Sequence, residues 1–124
     1  MHQQNPMRAL VVEDEFMIRL DLEQLLAGFG FPVDGFADPR SAEAALDGST
    51  YAVALLDLGF AGGADTLALA VALRRRGIPL IFCSGSRVRP VGFEDVPFVE
   101  KPYFDEQLRR VIEVALSENL QAAE

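Results

Sequence analysis

Side chains that could bind a cation and a phosphoryl group follow the apolar runs of this sequence. Three acidic residues follow the first run, and the first two of them are candidates for this chemistry. One carboxylate follows the second run, a hydroxyl follows the third, and an ammonium lies just beyond the fourth. In chain order these residues are Glu13, Asp14, Asp57, Ser84 and Lys101, after runs 9–12, 52–56, 80–83 and 98–99. Carboxylate oxygens are ligands for hard cations, and ammonium and hydroxyl donors stabilise the charge of a transferring phosphoryl group.

The apolar runs are typical of strands in a parallel sheet. Residues 52–56 are Ala, Val, Ala, Leu and Leu, and strands that are buried on both faces have such continuous apolar sequences. In an open α/β sheet, ligands bind outside the carboxyl ends of the strands. The sequence therefore predicts that the five polar side chains share one edge of a sheet.

Segments with helical spacing lie between the runs. We expect helices at about 15–29, 38–46 and 65–76 and from Asp105 onward, and a weaker strand at 31–36. Alternating strands and helices predict an α/β fold, a doubly wound five-stranded parallel sheet with strand order 2-1-3-4-5 (flavodoxin-like). The segment before the last strand contains Pro90 and Gly92, so the fourth helix is expected to be short or irregular.

Glu13, Asp14 and Asp57 form the centre of the predicted site. In this strand order the first strand lies beside the third, which brings the three carboxylates together. Crowded carboxylates repel one another and raise each other's pKa unless a cation neutralises them. Mg²⁺ prefers oxygen ligands and binds through one or two carboxylates together with phosphate oxygens. We therefore predict that these residues bind Mg²⁺.

Asp57 is predicted to act as a nucleophile. A carboxylate beside Mg²⁺ can attack phosphorus and form an aspartyl-phosphate. Because phosphoryl transfer depends mainly on positioning and electrostatics, Lys101 and Ser84 are expected to contact the transferred group. A cis peptide bond before Pro102 would direct this lysine toward the site. Taken alone, Ser84 could be a turn residue and Lys101 a surface lysine, but their placement at successive strand ends favours the site.

Composition restricts the remaining choices. The 124 residues suffice for one domain, which we expect at 8–118, with a flexible N-terminus at 1–7 and a C-terminal tail at 119–124. The net charge of −8 argues against binding to nucleic acid or to a membrane surface, and the arginines at 74–76 are interpreted as a helix end. The single Cys83 is interpreted as a packed apolar residue rather than a redox sensor, and we expect a cytoplasmic location.

Four motifs of the sequence resemble those of response regulator receiver domains (CheY-like), over residues 10–116. They are Val12-Glu13-Asp14-Glu15, Leu56-Asp57, Ser84-Gly85 and Lys101-Pro102-Tyr103. The resemblance implies that Asp57 is the phosphoacceptor. It also implies that Asp14 binds Mg²⁺ directly, that Glu13 binds it through water, and that the Gly59 carbonyl completes the protein ligands.

The same resemblance implies a switch. Ser84 would be the switch hydroxyl, Lys101 would pair with the phosphate, and Phe98 would be the switch aromatic, although plain core packing is an equal alternative for this ring. We expect the segment 87–96 to have few apolar anchors and to become ordered on phosphorylation. Small residues at 59 and 86 would let water reach the phosphorus, so autodephosphorylation is expected.

A narrower likeness concerns the fourth strand. Residues 76–85, with the sequence RGIPLIFCSG, look like those of the FATGUY group of single-domain receivers, in which this strand ends Phe-Ala-Thr-Gly. Cys83 and Ser84 replace the alanine and the threonine, and Ser84 keeps the hydroxyl. Ser86-Arg87 stands where that group has an apolar residue and a tyrosine.

The resemblance implies a stand-alone receiver that works as a signalling phosphoacceptor rather than as an enzyme. Its partners would be a sensor histidine kinase or histidine phosphotransfer protein and an unidentified downstream protein, and it would be a monomer or weak dimer. The alternative is a degenerate receiver that acts as a constitutive, non-phosphorylated interaction module. A small Mg²⁺-dependent phosphatase is a weaker alternative, because Gly59 supplies no general acid two residues after Asp57.

Overall fold

The computed structural model describes residues 7–59, 63–85 and 89–123, and for residues 119–123 it describes the backbone alone. The elements are strands β1 to β5, helices α1 to α4 and one short 3₁₀ turn. In chain order they are β1 (Arg8–Val12), α1 (Phe16–Gly28), β2 (Val33–Phe36), α2 (Pro39–Ala45), the 3₁₀ turn (Leu46–Gly48), β3 (Tyr51–Asp57), α3 (Ala64–Arg75), β4 (Leu80–Ser84), β5 (Phe98–Glu100) and α4 (Asp105–Ala123).

The five strands form one parallel sheet in the order β2-β1-β3-β4-β5, which confirms the predicted fold class. Val12 lies opposite Leu56, and Asp57 lies opposite Cys83. The register therefore aligns the carboxyl ends of β1, β3 and β4. Consequently the polar residues that follow these strands meet at one edge of the sheet, as predicted.

Apolar side chains fill both faces of the sheet. On one face, the core between the strands and α1 and α4 includes Leu26, Val53 and Ile112. On the other face, α2 and α3 pack through residues such as Ala42 and Leu69. All but the last residue of β3 are buried, which explains why its sequence lacks the polar alternation of a strand with one exposed face.

Two helix ends follow from local sequence. The Asp38 carboxylate accepts a hydrogen bond of 2.8 Å from the Ser41 N–H, so Asp38 caps α2, and Pro39 occupies its first position. The helix α3 ends before Gly77, whose φ of 72° belongs to the left-handed region that glycine tolerates best. The arginines at 74–76 thus lie at a helix end, as predicted.

The segment between β4 and β5 differs from the prediction in one respect. Within its described part, residues 89–97, there are turns and no helix, which agrees with a short or irregular fourth helix. The expectation of few apolar anchors is wrong, because Phe93 and Val96 are each 5 % exposed. Phe93 packs edge-on against Phe82 of β4, with 6.2 Å between ring centroids. These contacts fix the segment to the core.

The last helix is longer than expected. Its backbone continues to Ala123, so residues 119–123, which we assigned to a tail, extend α4. The predicted flexible N-terminus lies outside the described residues except for position 7. No helix in the described part of the chain is long and apolar enough to cross a membrane.

Candidate phosphoacceptor and metal site

A cavity of about 410 Å³ opens at the carboxyl ends of β1, β3, β4 and β5. Every one of the five polar residues singled out from the sequence lines it. Among the described residues, the lining consists of Glu13, Asp14, Glu15, Asp57, Gly59, Ser84, Gly85 and Lys101. The sheet register thus brings together residues that are up to 88 positions apart in the chain.

The three predicted carboxylates converge in this cavity. One oxygen each of Glu13, Asp14 and Asp57 lies within 4.8 Å of the other two. Glu13 is 1 % exposed, whereas Asp57 is half-buried and Asp14 faces solvent. The carboxylate of Glu13 therefore lies at the bottom of the cavity, and that of Asp14 lies at its solvent-exposed opening.

Two hydrogen-bond donors hold the side chain of Glu13. Its side chain accepts hydrogen bonds from the Lys101 ammonium at 2.6 Å and from the Glu15 N–H at 3.1 Å. Burial raises the pKa of the Glu13 carboxyl, and the neighbouring Asp57 charge raises it further, while the two hydrogen bonds act in the opposite direction. Burial is thus the main cause of the increase, and the crowding that the sequence predicts adds a smaller part.

Lys101 bridges two of the carboxylates. Its ammonium lies 2.6 Å from an oxygen of Glu13 and 3.5 Å from Oδ1 of Asp57. Burial acts to lower the pKa of Lys101, but the bond to Glu13 and the charge of Asp57 outweigh burial, so that the pKa is raised. The sequence predicts a metal ion as the only source of relief for this carboxylate repulsion. The structure shows that this ammonium neutralises part of the cluster.

The backbone also fixes Lys101 in place. Its N–H donates a hydrogen bond of 2.8 Å to the Ser84 carbonyl, and the Lys101–Pro102 peptide bond is cis. The hydrogen bond ties the start of the loop after β5 to the end of β4. The Lys101 side chain lines the same cavity as Asp57.

Gly59 follows Asp57 in a tight turn. Its φ is 66°, and its N–H donates a hydrogen bond of 3.1 Å to Oδ1 of Asp57. A side chain would strain this backbone, so glycine fits the position. Gly59 lines the cavity, and the role of its carbonyl as a metal ligand stays a prediction.

The two predicted switch residues differ in burial. Ser84 is 2 % exposed and lines the cavity. Phe98 is half-buried and packs against the core on the α2 and α3 side. The Arg89 guanidinium lies over its ring, 5.2 Å from the centroid, and also donates a hydrogen bond of 2.9 Å to the Glu94 carbonyl. Ser86, which we expected to flank the acceptor, lies outside the described residues.

Cys83 lies on the opposite face of β4 from Phe82. It is 1 % exposed, and burial raises the pKa of its thiol to about 12. A buried thiol with a raised pKa forms little thiolate and is a poor redox sensor. The interpretation as a packed apolar residue is therefore favoured.

Sequence reasoning missed Arg19, although it contacts the site. Its Nη1 donates a hydrogen bond of 2.8 Å to the Glu13 carbonyl. The available signal was its position one helical turn after Glu15, because helical side chains lean toward the N-terminus of the helix.

The residues present fit a Mg²⁺ ion. The cluster offers oxygen atoms only, and the exposed Asp14 leaves room for water and for phosphate oxygens, which Mg²⁺ retains when it binds to proteins. Glu13, Asp14 and Asp57 would hold the ion. Three carboxylates face one ammonium in this cluster, and this excess of negative charge gives a reason for cation binding that does not depend on any resemblance.

Comparison with solved structures identifies the fold. No protein-family model matches the sequence, and no curated protein is significantly similar to it. A response regulator receiver domain protein (CheY-like) from Methanospirillum hungatei JF-1 superposes with a TM-score of 0.78 at 21 % identity, covering 95 % of this chain and 99 % of that one. A response regulator receiver protein from Sinorhizobium medicae WSM419 gives 0.76 at 22 % identity, covering 93 % and 98 %.

A third structure is more similar in sequence. The PhyR stress response regulator is 28 % identical, with a TM-score of 0.71, over 91 % of this chain and 46 % of its own length. The chain thus has the receiver-domain fold, and the resemblance seen in its motifs is confirmed at that level. The narrower likeness to the FATGUY group stays a prediction.

Proposed function

We propose that this chain is a response regulator receiver that accepts a phosphoryl group on Asp57 in a Mg²⁺-dependent two-component relay. The observation that carries the proposal is the position of Lys101. Its ammonium lies 3.5 Å from Asp57 Oδ1, and two further carboxylates have oxygens within 4.8 Å. On a receiver fold, a carboxylate with an ammonium and two further carboxylates beside it supports the proposal of a nucleophile next to a cation site.

The chemistry is an in-line substitution at phosphorus. An oxygen of Asp57 attacks the phosphorus of a phosphohistidine, a new O–P bond forms, and the P–N bond breaks. The imidazole leaves and takes up a proton. Mg²⁺, when bound, supplies charge neutralisation for the phosphoryl oxygens.

Residues of the chain perform the remaining tasks. Lys101 would exchange part of its contact with Glu13 for a phosphoryl oxygen on Asp57, because its ammonium lies within reach of both carboxylates. The Gly59 N–H holds the Asp57 carboxylate in one orientation. The Ser84 hydroxyl lines the same cavity and would donate to a second phosphoryl oxygen. We expect hydrolysis of the adduct by the domain itself.

The proposed signal passes to Phe98. Movement of Ser84 toward the phosphoryl group would open space near the end of β4, and Phe98 would rotate toward that space. In the present state Arg89 covers the ring, so the rotation would also move Arg89. Because Phe93 and Val96 are buried, we propose a local rearrangement at Arg89 and Phe98 in place of ordering of the whole segment. Signalling would then act through an unidentified protein.

An experiment with a small phosphodonor tests the function. Incubation with acetyl phosphate and Mg²⁺ is expected to add the mass of one phosphoryl group to the wild type and to the surface variant Asp47→Asn. The adduct should be absent from Asp57→Asn and from samples with EDTA. A chain that gains no mass under any condition would fit the alternative of a constitutive interaction module. An adduct that forms equally well on Asp57→Asn would contradict the assignment of the acceptor.

A further inference from the structure

The backbone of Glu13 is fixed from two directions. Its N–H donates a hydrogen bond of 3.0 Å to the Phe36 carbonyl at the end of β2, and its carbonyl accepts a bond of 2.8 Å from Nη1 of Arg19. Its side chain is also held, by Lys101 and by the Glu15 N–H. The backbone conformation of Glu13 therefore sets the direction of its own carboxylate and of the carboxylate of Asp14, the next residue.

Arg19 reaches the carbonyl because of the helix geometry. The Arg19 N–H bonds to the Glu15 carbonyl at 2.9 Å, which places Arg19 in the first turn of α1. From there its half-buried side chain leans back toward the start of the helix. The guanidinium lies 5.5 Å from the centroid of the Phe16 ring. It is therefore held between an aromatic ring and the Glu13 carbonyl.

We infer that Arg19 is a positioning residue of the acidic site: by bonding to the Glu13 carbonyl it fixes the peptide between Glu13 and Asp14 and so holds both carboxylates in the arrangement that binds the cation. The inference rests on the proposed function where it concerns the metal. Partners that orient metal ligands, without touching the metal, contribute substantially to affinity.

Two consequences of removing Arg19 change the affinity for Mg²⁺ in opposite directions, so the direction of the change tests the inference. A cation near the carboxylates repels Mg²⁺, so loss of its charge alone would strengthen Mg²⁺ binding. Loss of its hydrogen bond would instead let the Glu13–Asp14 peptide rotate and would weaken Mg²⁺ binding. A role limited to helix stability would change the melting temperature and leave the affinity for Mg²⁺ unaltered.

The test compares Arg19→Met with Arg109→Met. Arg109 lies on α4 and covers the ring of Phe29 at 5.6 Å, so its variant matches the loss of a charge and of a cation–π contact. Calorimetric titration with MgCl₂, below the melting temperature of every variant, should show binding to Arg19→Met weakened by about tenfold. Arg109→Met should bind as the wild type does. Arg19→Lys, which keeps a donor and the charge, should recover part of the affinity.

A second measurement needs no metal. The Glu15 N–H bonds to the Glu13 carboxylate, so misplacement of Glu13 should speed exchange of the Glu15 amide in Arg19→Met, measured by NMR without Mg²⁺. Mg²⁺ binding that is equal or tighter in Arg19→Met overturns the inference. If the wild type itself binds no Mg²⁺, the proposed metal requirement fails, and the amide then decides: faster exchange supports positioning by Arg19, and unchanged exchange overturns it.

Discussion

Lys101 offsets part of the negative charge of the site. At neutral pH its raised pKa keeps the ammonium protonated between Glu13 and Asp57. The proposed phosphorylation of Asp57 would add an anionic group to the site, and this ammonium already lies 3.5 Å from Asp57 Oδ1. The resting ion pair with Glu13 would thus place Lys101 for the proposed phosphorylated state without a large movement.

A second ion pair, at the opposite edge of the sheet, has a structural role. Nε and Nη2 of Arg8 donate to the two oxygens of Asp34 at 2.8 and 2.7 Å, and the Tyr51 hydroxyl donates to Oδ2 at 2.7 Å. The bonds from Arg8 hold the pKa of Asp34 below its ordinary value. These contacts join β1, β2 and β3 on the side away from the site.

The lowered pKa of Asp34 predicts a pH dependence of stability. A carboxyl group whose folded pKa is lowered contributes stability above its unfolded pKa of about 3.9, and this contribution is lost as the pH falls through the folded value. Asp34→Asn should therefore decrease the free energy of unfolding by about 1–3 kcal/mol at pH 7. The difference from the wild type should shrink below about pH 4. Urea unfolding of both proteins, from pH 7 to below about pH 4, measures this difference in the free energy of unfolding.

The control for Asp34→Asn is Asp47→Asn. Asp47 also forms an ion pair of 2.7 Å, with Arg76, but its side chain is 88 % exposed. Exposed pairs contribute about 0–1 kcal/mol, so this variant should unfold almost as the wild type does. Equal losses in the two variants, or a loss in Asp34→Asn that persists unchanged at low pH, would contradict the account.

At the scale of elements, Arg74 attaches the segment 89–97 to α3. Its guanidinium lies 4.2 Å from the centroid of the Phe93 ring. Nη1 donates to the Gly92 carbonyl at 2.6 Å, and Nη2 donates to Asp95 at 3.1 Å. Because Asp95 is exposed, the ring and the carbonyl provide most of the attachment.

Arg74→Met should loosen this segment. Loss of the cation–π contact and of the hydrogen bond is expected to cost about 1–2 kcal/mol, and amide exchange in residues 89–97 should become several-fold faster. Arg76→Met is the matched control, because Arg76 lies at the same helix end but bonds to Leu46 and Asp47. It should leave exchange in residues 89–97 unchanged. Acceleration there by both variants would indicate general loss of stability instead.

The proposed switch predicts where phosphorylation acts. Beryllofluoride mimics the phosphoryl group, so its addition with Mg²⁺ should change the NMR signals of the Phe98 ring and the amide protection of residues 98–103. Phe93 and Val96 should keep their protection because both are buried anchors. Asp57→Asn should show none of these changes. If Phe98 stays unaffected while other elements respond, the switch proposal is wrong even if Asp57 is the acceptor.

At the scale of the whole molecule, cation binding should stabilise the fold. A ligand that binds only the folded state at a hundred times its Kd adds about 2.7 kcal/mol. Saturating MgCl₂ is therefore expected to raise the melting temperature by several degrees, and NaCl at equal ionic strength should not. Asp14→Asn should remove most of this effect, because Asp14 is the exposed carboxylate of the cluster. Equal stabilisation by NaCl would show general screening and would contradict a specific site.

Much of the fold and of the candidate site could be predicted from the sequence, because the polar site residues lie at the ends of continuous apolar strands. The alternation of strands and helices predicts the parallel sheet, and the carboxyl ends of its strands are where Glu13, Asp57 and Lys101 converge. The contacts of Arg19 and Arg74 could not be predicted in this way, since each joins a helix to a partner whose position depends on tertiary packing. The end of α4 was misplaced because its last residues lack an apolar stripe and carry no stop signal.

The most direct test of the central claim locates the phosphoryl group on the chain. Borohydride reduces an aspartyl-phosphate to homoserine, and tandem mass spectrometry of the digested protein then identifies the modified position. After treatment with acetyl phosphate, we predict homoserine at position 57 in the presence of Mg²⁺ and none in EDTA. Homoserine at position 14 instead, or a pattern that is independent of Mg²⁺, would contradict the assignment of Asp57 as the metal-dependent acceptor.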